Sequence, residues 1–403
     1  MQQGLRFSPP SIDVPAEVDW LLLRALGREF TAWDETKRLD AKGLSELVGA
    51  VGLLGRVRAR WPRDDLGPEL GAGLLEQADR AIHRIAANEL LQERVSSQIA
   101  VMASEEGEPS IFLKGLALRL GGHSIAGARH ASDIDVLVPR DAAGALHSAL
   151  VERGSVEHEI QPQDHHLPPL EHPQGAIVEI HVDLRGVNLE GDRAATAEEC
   201  LSSGRCRVLE GWPEGTHVPE WSLLIAHLLV HGLGQHGFSP GAYPLLQLLA
   251  DLQDLDFSGD QGDLFLAEGY GWIETEVTRE EVAGTRDLLR RLEEGDQASD
   301  IVAGETAPAV ILRHMLAGSL DTEYRQSLKL AAVTRTSIAR QGLMGLLRNL
   351  GSAVVLTRGQ IDVIYGKPKT EFGYLGRRLW RPFDLMGRTI KTLQAQRKLR
   401  LRQ

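Results

Sequence analysis

Residues 111–138 read IFLKGLALRLGGHSIAGARHASDIDVLV, and the fold of the chain is decided in this stretch. Ile111, Phe112 and Leu113 form a short apolar run that stops at Lys114-Gly115. The next residues, LALRL, have good helix propensity before Gly121-Gly122 ends them. The predicted order is strand, turn, helix. After a polar loop holding Arg129, the segment from Ser132 to Val138 alternates with a period of two. That period puts Asp133 and Asp135 on one strand face and Ile134, Val136 and Val138 on the other. The apolar face can be buried, which leaves the two carboxylates pointing into a cleft.

Two carboxylates this close need a counter-charge. Hard divalent ions such as Mg²⁺ take oxygen ligands and keep waters and substrate phosphates in their other positions. An Asp-x-Asp pair beside a glycine turn therefore points to a metal site that handles phosphate. Isolated pairs of this kind also cap surface strands, so the context has to decide. It does so at residues 176–184, AIVEIHVDL, where Val178, Ile180, Val182 and Leu184 make an apolar face and Glu179, His181 and Asp183 make the other. Beside the Asp133/Asp135 strand, this segment would bring Glu179 into the same cleft. Three carboxylates can hold two metal ions, one orienting a nucleoside triphosphate and one activating an acceptor hydroxyl.

The order KG, Arg129, DIDVLV, HHLPPL, VEIH resembles the uncharacterised nucleotidyltransferase family, within the minimal, DNA-polymerase-beta-like nucleotidyltransferase superfamily. The resemblance spans most of the chain, with its specific motifs between Lys114 and His181. It implies an α+β fold, a small mixed β-sheet core flanked by helical regions at both ends. It also implies transfer of a nucleoside monophosphate, AMP from ATP, with Mg²⁺ as cofactor, two ions being possible and Mn²⁺ a substitute. By this match Asp133, Asp135 and Glu179 are the metal ligands, Glu179 is also the candidate base, and Gly115 is where the backbone approaches the triphosphate. The superfamily's usual glycine-serine pair appears here as Lys114-Gly115 followed by Leu116, so no serine hydroxyl is available. A lysine there can neutralise phosphate charge in its place, or it can be a solvated strand-end lysine. Arg129 either helps position the triphosphate or pairs with an aspartate. His166, from HHLPPL, can donate to triphosphate oxygens or be a polar edge residue. His181 can ligate the metal, position the acceptor or hydrogen-bond Glu179, and the last is the simplest.

Outward from this core, the 403 residues divide into an N-terminal helical region (1–103), the nucleotidyltransferase core (104–200), a C-terminal helical domain (201–365) and a basic, aromatic tail (366–403). Apolar residues recur at three and four through residues 18–103, with Pro62 and the acidic DDLGPE predicting a loop inside that region. His227 and His231 stand four apart on a predicted helix, a spacing seen in zinc pairs and in ordinary helix packing. The resemblance places that helix, and a following one with Asp251 and Asp254, at the border of the acceptor pocket.

A formal charge of −12 argues against non-specific coating of nucleic acid, and two cysteines cannot staple a disulfide scaffold. No run of about 18 apolar residues exists to span a membrane, and a reducing, cytoplasmic setting is expected. The tail carries eleven Lys and Arg against Glu371 and Asp384, with Phe372, Tyr374, Trp380 and Phe383 interleaved. It can dock on the acidic body of its own chain, on an anionic membrane surface, or on a polyanion such as RNA. The expected partners are a nucleoside triphosphate and an acceptor that is a small molecule, a peptide or RNA. Two rival functions remain: a non-catalytic nucleotide-binding accessory protein of a biosynthetic cluster, and a tRNA 3′-end nucleotidyltransferase. The full set of three carboxylates weighs against the first and the net acidity against the second.

Overall fold

A computed structural model describes residues 13–30, 33, 39–40, 42–44, 47, 53–158, 165–191, 193–235, 245–320, 370 and 373–380. The alternating segments of the sequence form the middle of one mixed sheet. Its strands are β1 (Ser110–Phe112), β2 (Asp133–Leu137), β3 (Val156–Glu157), β4 (Leu170–Glu171), β5 (Ile177–His181), β6 (Cys206–Val208) and β7 (Thr216–Pro219). They lie in the order β3-β4-β5-β2-β1-β7-β6, so the Asp-x-Asp strand is the central one. β2 runs parallel to β5 and antiparallel to β1, and β1 runs parallel to β7. The β2–β5 register sets Asp135 opposite Glu179 and Leu137 opposite His181. Ile134, Val136, Val178 and Ile180 fill the apolar face. The acidic face is covered as well: Asp135 and Leu137 are both buried.

Helices enclose this sheet. In the N-terminal region α1 (Ala16–Leu26) and α2 (Leu54–Arg60) pack on α3 (Arg63–Glu105), a 43-residue helix. α4 (Lys114–Leu120) follows β1, and α5 (Arg140–Glu152) carries the chain away from β2 and packs back on β5 through Ala143, Leu146 and Leu150. Further on come α6 (Ala197–Ser202), started by a Thr196/Glu199 capping box, α7 (Trp221–Leu229) and α8 (Leu245–Asp254). One continuous apolar cluster links α1, the sheet and the helices after residue 245, from Val18 to Leu316.

Of the loop predicted at Pro62 and DDLGPE, only Trp61 and Pro62 separate α2 from α3, and DDLGPE is helical. Pro62 sits immediately before the first turn of α3, where its missing N–H removes no helical bond, and Asp64 and Asp65 in that turn favour the positive end of the helix. The break falls later, at Gly71, whose φ of 67° and ψ of 172° no helical residue adopts. Leu66, Leu70, Leu74, Ala78, Ala81 and Ile85 form the buried stripe on both sides of it. Buried charge ties the N-terminal helices down. Arg24 and the Trp20 indole both donate to Glu69, and Arg56 donates to Asp254 and to the carbonyl of Ala25.

No helix among the described residues is long and apolar enough to cross a membrane. Of the basic tail, Thr370 and residues 373–380 are described. The latter form a helix that leaves Leu375, Leu379 and Trp380 exposed, and the rest of the tail lies outside the described residues.

Candidate active site

Asp135 is the centre of the site because three side chains from two elements converge on its carboxylate. From the turn between β1 and α4, the Lys114 ammonium donates to Asp135 Oδ1 at 2.7 Å. From β5, His181 Nε2 lies 2.8 Å from the same oxygen. Glu179 is its neighbour in the β2–β5 register, and Glu179 Oε2 stands 3.7 Å from His181 Nε2. The simplest sequence reading paired His181 with Glu179; the closer partner is Asp135, because the ring reaches across to the central strand. Lys114 attains its position through a left-handed backbone conformation with φ of 47°. For a lysine that conformation is strained, and such strain persists only where surrounding packing enforces it.

The electrostatics follow from burying three carboxylates with one ammonium. Burial acts to raise Asp135, but the Lys114 charge and the His181 hydrogen bond outweigh it and hold the carboxyl well below its usual range. Glu179 goes the other way: burial first, then the Asp135 charge, push it up to about 7. Asp133 is raised for the same two reasons. Burial works to lower Lys114, and Asp135, Asp133 and Glu179 together overcome it and raise it. His181 is lowered by burial, against the pull of Asp135, and stays a neutral imidazole. Two negative charges are therefore left over when all three acids ionise, a deficit equal to the charge of one divalent cation.

The donor set fits such a cation. Ligand atoms of Asp135, Glu179 and His181 all lie within 4.8 Å of one another, and this is the group of metal-binding character among the described residues. Carboxylate oxygens suit Mg²⁺ and Mn²⁺, and the imidazole adds affinity for transition ions. Asp133 is outside that group, two residues back on the same strand face and half-buried at the mouth.

Arg129 pairs with an aspartate. Its Nε and Nη2 donate to the two oxygens of Asp251 at 2.8 and 2.9 Å, and the Gln247 amide donates to the same carboxylate at 2.9 Å. The guanidinium lies directly over Gly115, where a Cβ would stand 1.8 Å from Arg129 Nη1. Glycine at 115 is thus required by the arginine that crosses it. His166 forms a β-bridge to His181, its Nδ1 donating to the Leu167 carbonyl at 2.7 Å, and the two rings are 5.6 Å apart. His227 on α7 is buried near the charges of Lys114, His181 and Asp135, and burial followed by Lys114 lowers it to about 3. Asp254, expected near the acceptor, is bound instead to Arg56.

Several supporting residues escaped the sequence reading. Glu89 accepts from the Gly127 N–H at 2.9 Å, at a left-handed φ of 75°. Asn88 and Gln92 donate to the Ala131 carbonyl, and Gln92 also to that of Asp133. Together they clamp the loop that leads into β2. The available signal was the placement of Glu89 and Gln92 on the otherwise apolar, buried stripe of α3.

No curated protein matches the chain. Two solved structures are similar to it. The antibiotic-resistance factor ANT(2'')-Ia in solution is 15% identical, with 45% of this chain and 92% of that one covered and a TM-score of 0.33. The crystal structure of ANT(2")-Ia in complex with adenylyl-2"-tobramycin is 16% identical, covering 50% and 97%, with a TM-score of 0.28. At those scores neither informs the details of this site. The sequence model of the family described as uncharacterised nucleotidyltransferase matches residues 37–259, more than half of the chain and all of the site, and the chain belongs to that family.

Proposed function

We propose that the protein transfers a nucleoside monophosphate, AMP from ATP, to a hydroxyl, phosphate or amine of an acceptor, in a reaction that depends on Mg²⁺ or Mn²⁺. The observation that carries this reading is the parallel register of β2 and β5, which faces Asp135 with Glu179 and surrounds them with Lys114 and His181. Asp133, Asp135 and Glu179 would hold the metal, and His181, which shares an Asp135 oxygen and belongs to the same donor group, would be a further ligand. The metal, when bound, neutralises phosphate charge and polarises the α-phosphorus for in-line attack. Glu179, held near neutrality, accepts the acceptor proton as the new oxygen–phosphorus or nitrogen–phosphorus bond forms and pyrophosphate leaves. Lys114 balances the β- and γ-phosphate charge, and His166, whose Nδ1–H is held by the Leu167 carbonyl, packs against His181 beside it. Arg129, seated over Gly115 and fixed by Asp251, forms the wall beside the triphosphate.

The test is incubation of the full chain with Mg²⁺ or Mn²⁺ and each α-labelled nucleoside triphosphate, with and without a cell extract as acceptor source. Label transfer that disappears in Asp135→Asn is the expected result, and the labelled species identifies a small molecule, a peptide or RNA as acceptor. Binding of the triphosphate without transfer under any condition would favour a nucleotide-binding accessory role.

A further inference from the structure

We propose that Lys114 is an exchangeable counter-ion: its ammonium occupies the cation's place on Asp135 until a metal–triphosphate complex arrives, and then moves to the triphosphate. The protein accordingly takes its metal together with the nucleotide and binds the free ion poorly. This rests on the nucleotidyltransfer reading of the same site.

Three observations carry it. First, the ammonium and a divalent ion compete for one atom. Lys114 Nζ is 2.7 Å from Asp135 Oδ1, and that carboxylate is shared by the Asp135, Glu179, His181 donor group. Both side chains are buried, so two cations packed against one oxygen would repel each other with little screening. Second, the ammonium has no acceptable position in the pocket without an anion. Lys114 and Asp135 are 7% and 2% exposed, and the charges that offset Lys114's burial are Asp135, Asp133 and Glu179. Once a metal claims those carboxylates, the β- and γ-phosphates supply the missing negative charge. Third, the turn that presents the ammonium is strained. A non-glycine residue at φ of 47° at the start of α4 directs the side chain inward, and the side chain's four-carbon stem permits a second position while the backbone stays put.

The exchange makes a signed prediction that a merely structural lysine does not. Mn²⁺ binding to the full chain is measured by the free-ion signal in electron paramagnetic resonance, with and without a non-hydrolysable α,β-methylene ATP analogue. In the native chain the analogue tightens Mn²⁺ binding at least about 10-fold, each 10-fold being about 1.4 kcal/mol. Lys114→Met and Lys114→Gln bind Mn²⁺ without nucleotide about 10-fold or more tightly than the native chain, and bind the analogue more weakly. Lys114→Arg, which keeps the charge, stays near the native metal affinity, and adding Asp135→Asn to Lys114→Met abolishes the gain. Unchanged or weaker nucleotide-free Mn²⁺ binding in both neutral variants, with the helical circular-dichroism signal intact, overturns the proposal. So does a gain that survives Asp135→Asn. Label transfer is scored separately: absent transfer with the metal pattern as expected defeats only the functional reading, and transfer without the pattern defeats only the exchange.

Discussion

Two buried ion pairs sit side by side in this molecule, Lys114–Asp135 and Arg129–Asp251, and they are built for opposite purposes. Arg129 meets Asp251 with two parallel hydrogen bonds, one guanidinium to one carboxylate, and Gln247 supports the acceptor. Lys114 meets Asp135 through a single contact from a strained backbone, and Asp133 and Glu179 stand around them with no ion pair to a further Lys or Arg among the described residues. The first pair is matched in charge and geometry, which suits a permanent brace between the loop before β2 and α8. The second leaves a net negative pocket, a charge balance that suits the proposed joint entry of a cation and a polyanion. Burial alone does not distinguish a structural pair from a functional one; the local charge balance does.

The largest effects should come from removing the acid of each pair. Asp135→Asn is expected to lower label transfer by roughly 10³-fold or more, since the group that centres the metal and lysine is lost. Its unfolding midpoint should move little, because it also relieves the repulsion among three carboxylates. Asp251→Ala should do the reverse, costing about 3–5 kcal/mol in denaturant unfolding because the Arg129 guanidinium is left buried without its carboxylate. Measuring both variants by both assays breaks the comparison if the two profiles coincide.

Gly115→Ala probes the brace more gently. Its Cβ would overlap Arg129 Nη1, so the arginine must shift and lose part of its grip on Asp251. A destabilisation of about 1–3 kcal/mol is expected, smaller than that of Asp251→Ala. In an Arg129→Ala background the same substitution should cost almost nothing further, and additive costs in this double-mutant cycle would show that the glycine serves something other than the arginine.

How much of this was visible in the sequence varies by element. The period-two alternation of Ser132–Val138 and Ala176–Leu184 carried the strands and the facing of Asp133, Asp135 and Glu179, because side-chain period is a local property. The mixed sheet with helical flanks came from the family resemblance, since period alone does not give strand direction. The Arg129–Asp251 pair was not, since its members are 122 residues apart and nothing near either one names the other. Nor was the inward turn of Lys114, which depends on a left-handed φ that lysine seldom adopts. Pro62 marked a real boundary between α2 and α3, but DDLGPE was misread as loop; Asp64 and Asp65 just after the proline were the sign of a helix start.

The charge imbalance at Asp135 should also appear as a pH effect in chelator-treated protein. Glu179 holds its proton up to about 7 in the fold, against 4.5 for an ordinary glutamate, so the folded chain carries the extra proton between those values. Stability is then highest below the window and falls as pH rises through it, by about 3 kcal/mol at most. Glu179→Gln should flatten that fall, and saturating Mn²⁺ should offset it by stabilising the ionised carboxylate. A stability that instead increases from pH 5 to 8 through this one residue would mean the pocket is not short of cations.

The smallest effect belongs to a pair on the exposed surface. Arg290 and Glu294 are i,i+4 neighbours at 2.9 Å on the outer face of the helix Arg279–Glu293, with side chains 48% and 55% exposed. Water screens their attraction and holding two long side chains in register costs entropy, so Arg290→Ala should change stability by less than about 0.5 kcal/mol and leave transfer untouched. At 2.9 Å it is as close as the Arg129–Asp251 contacts, so distance is held constant while solvent access and charge balance vary. A loss at Arg290 comparable with that at Asp251 would mean that ion-pair geometry by itself sets the energy here. The expected contrast instead assigns it to the desolvated surroundings, the same quantity on which the proposed cation site at Asp135 depends.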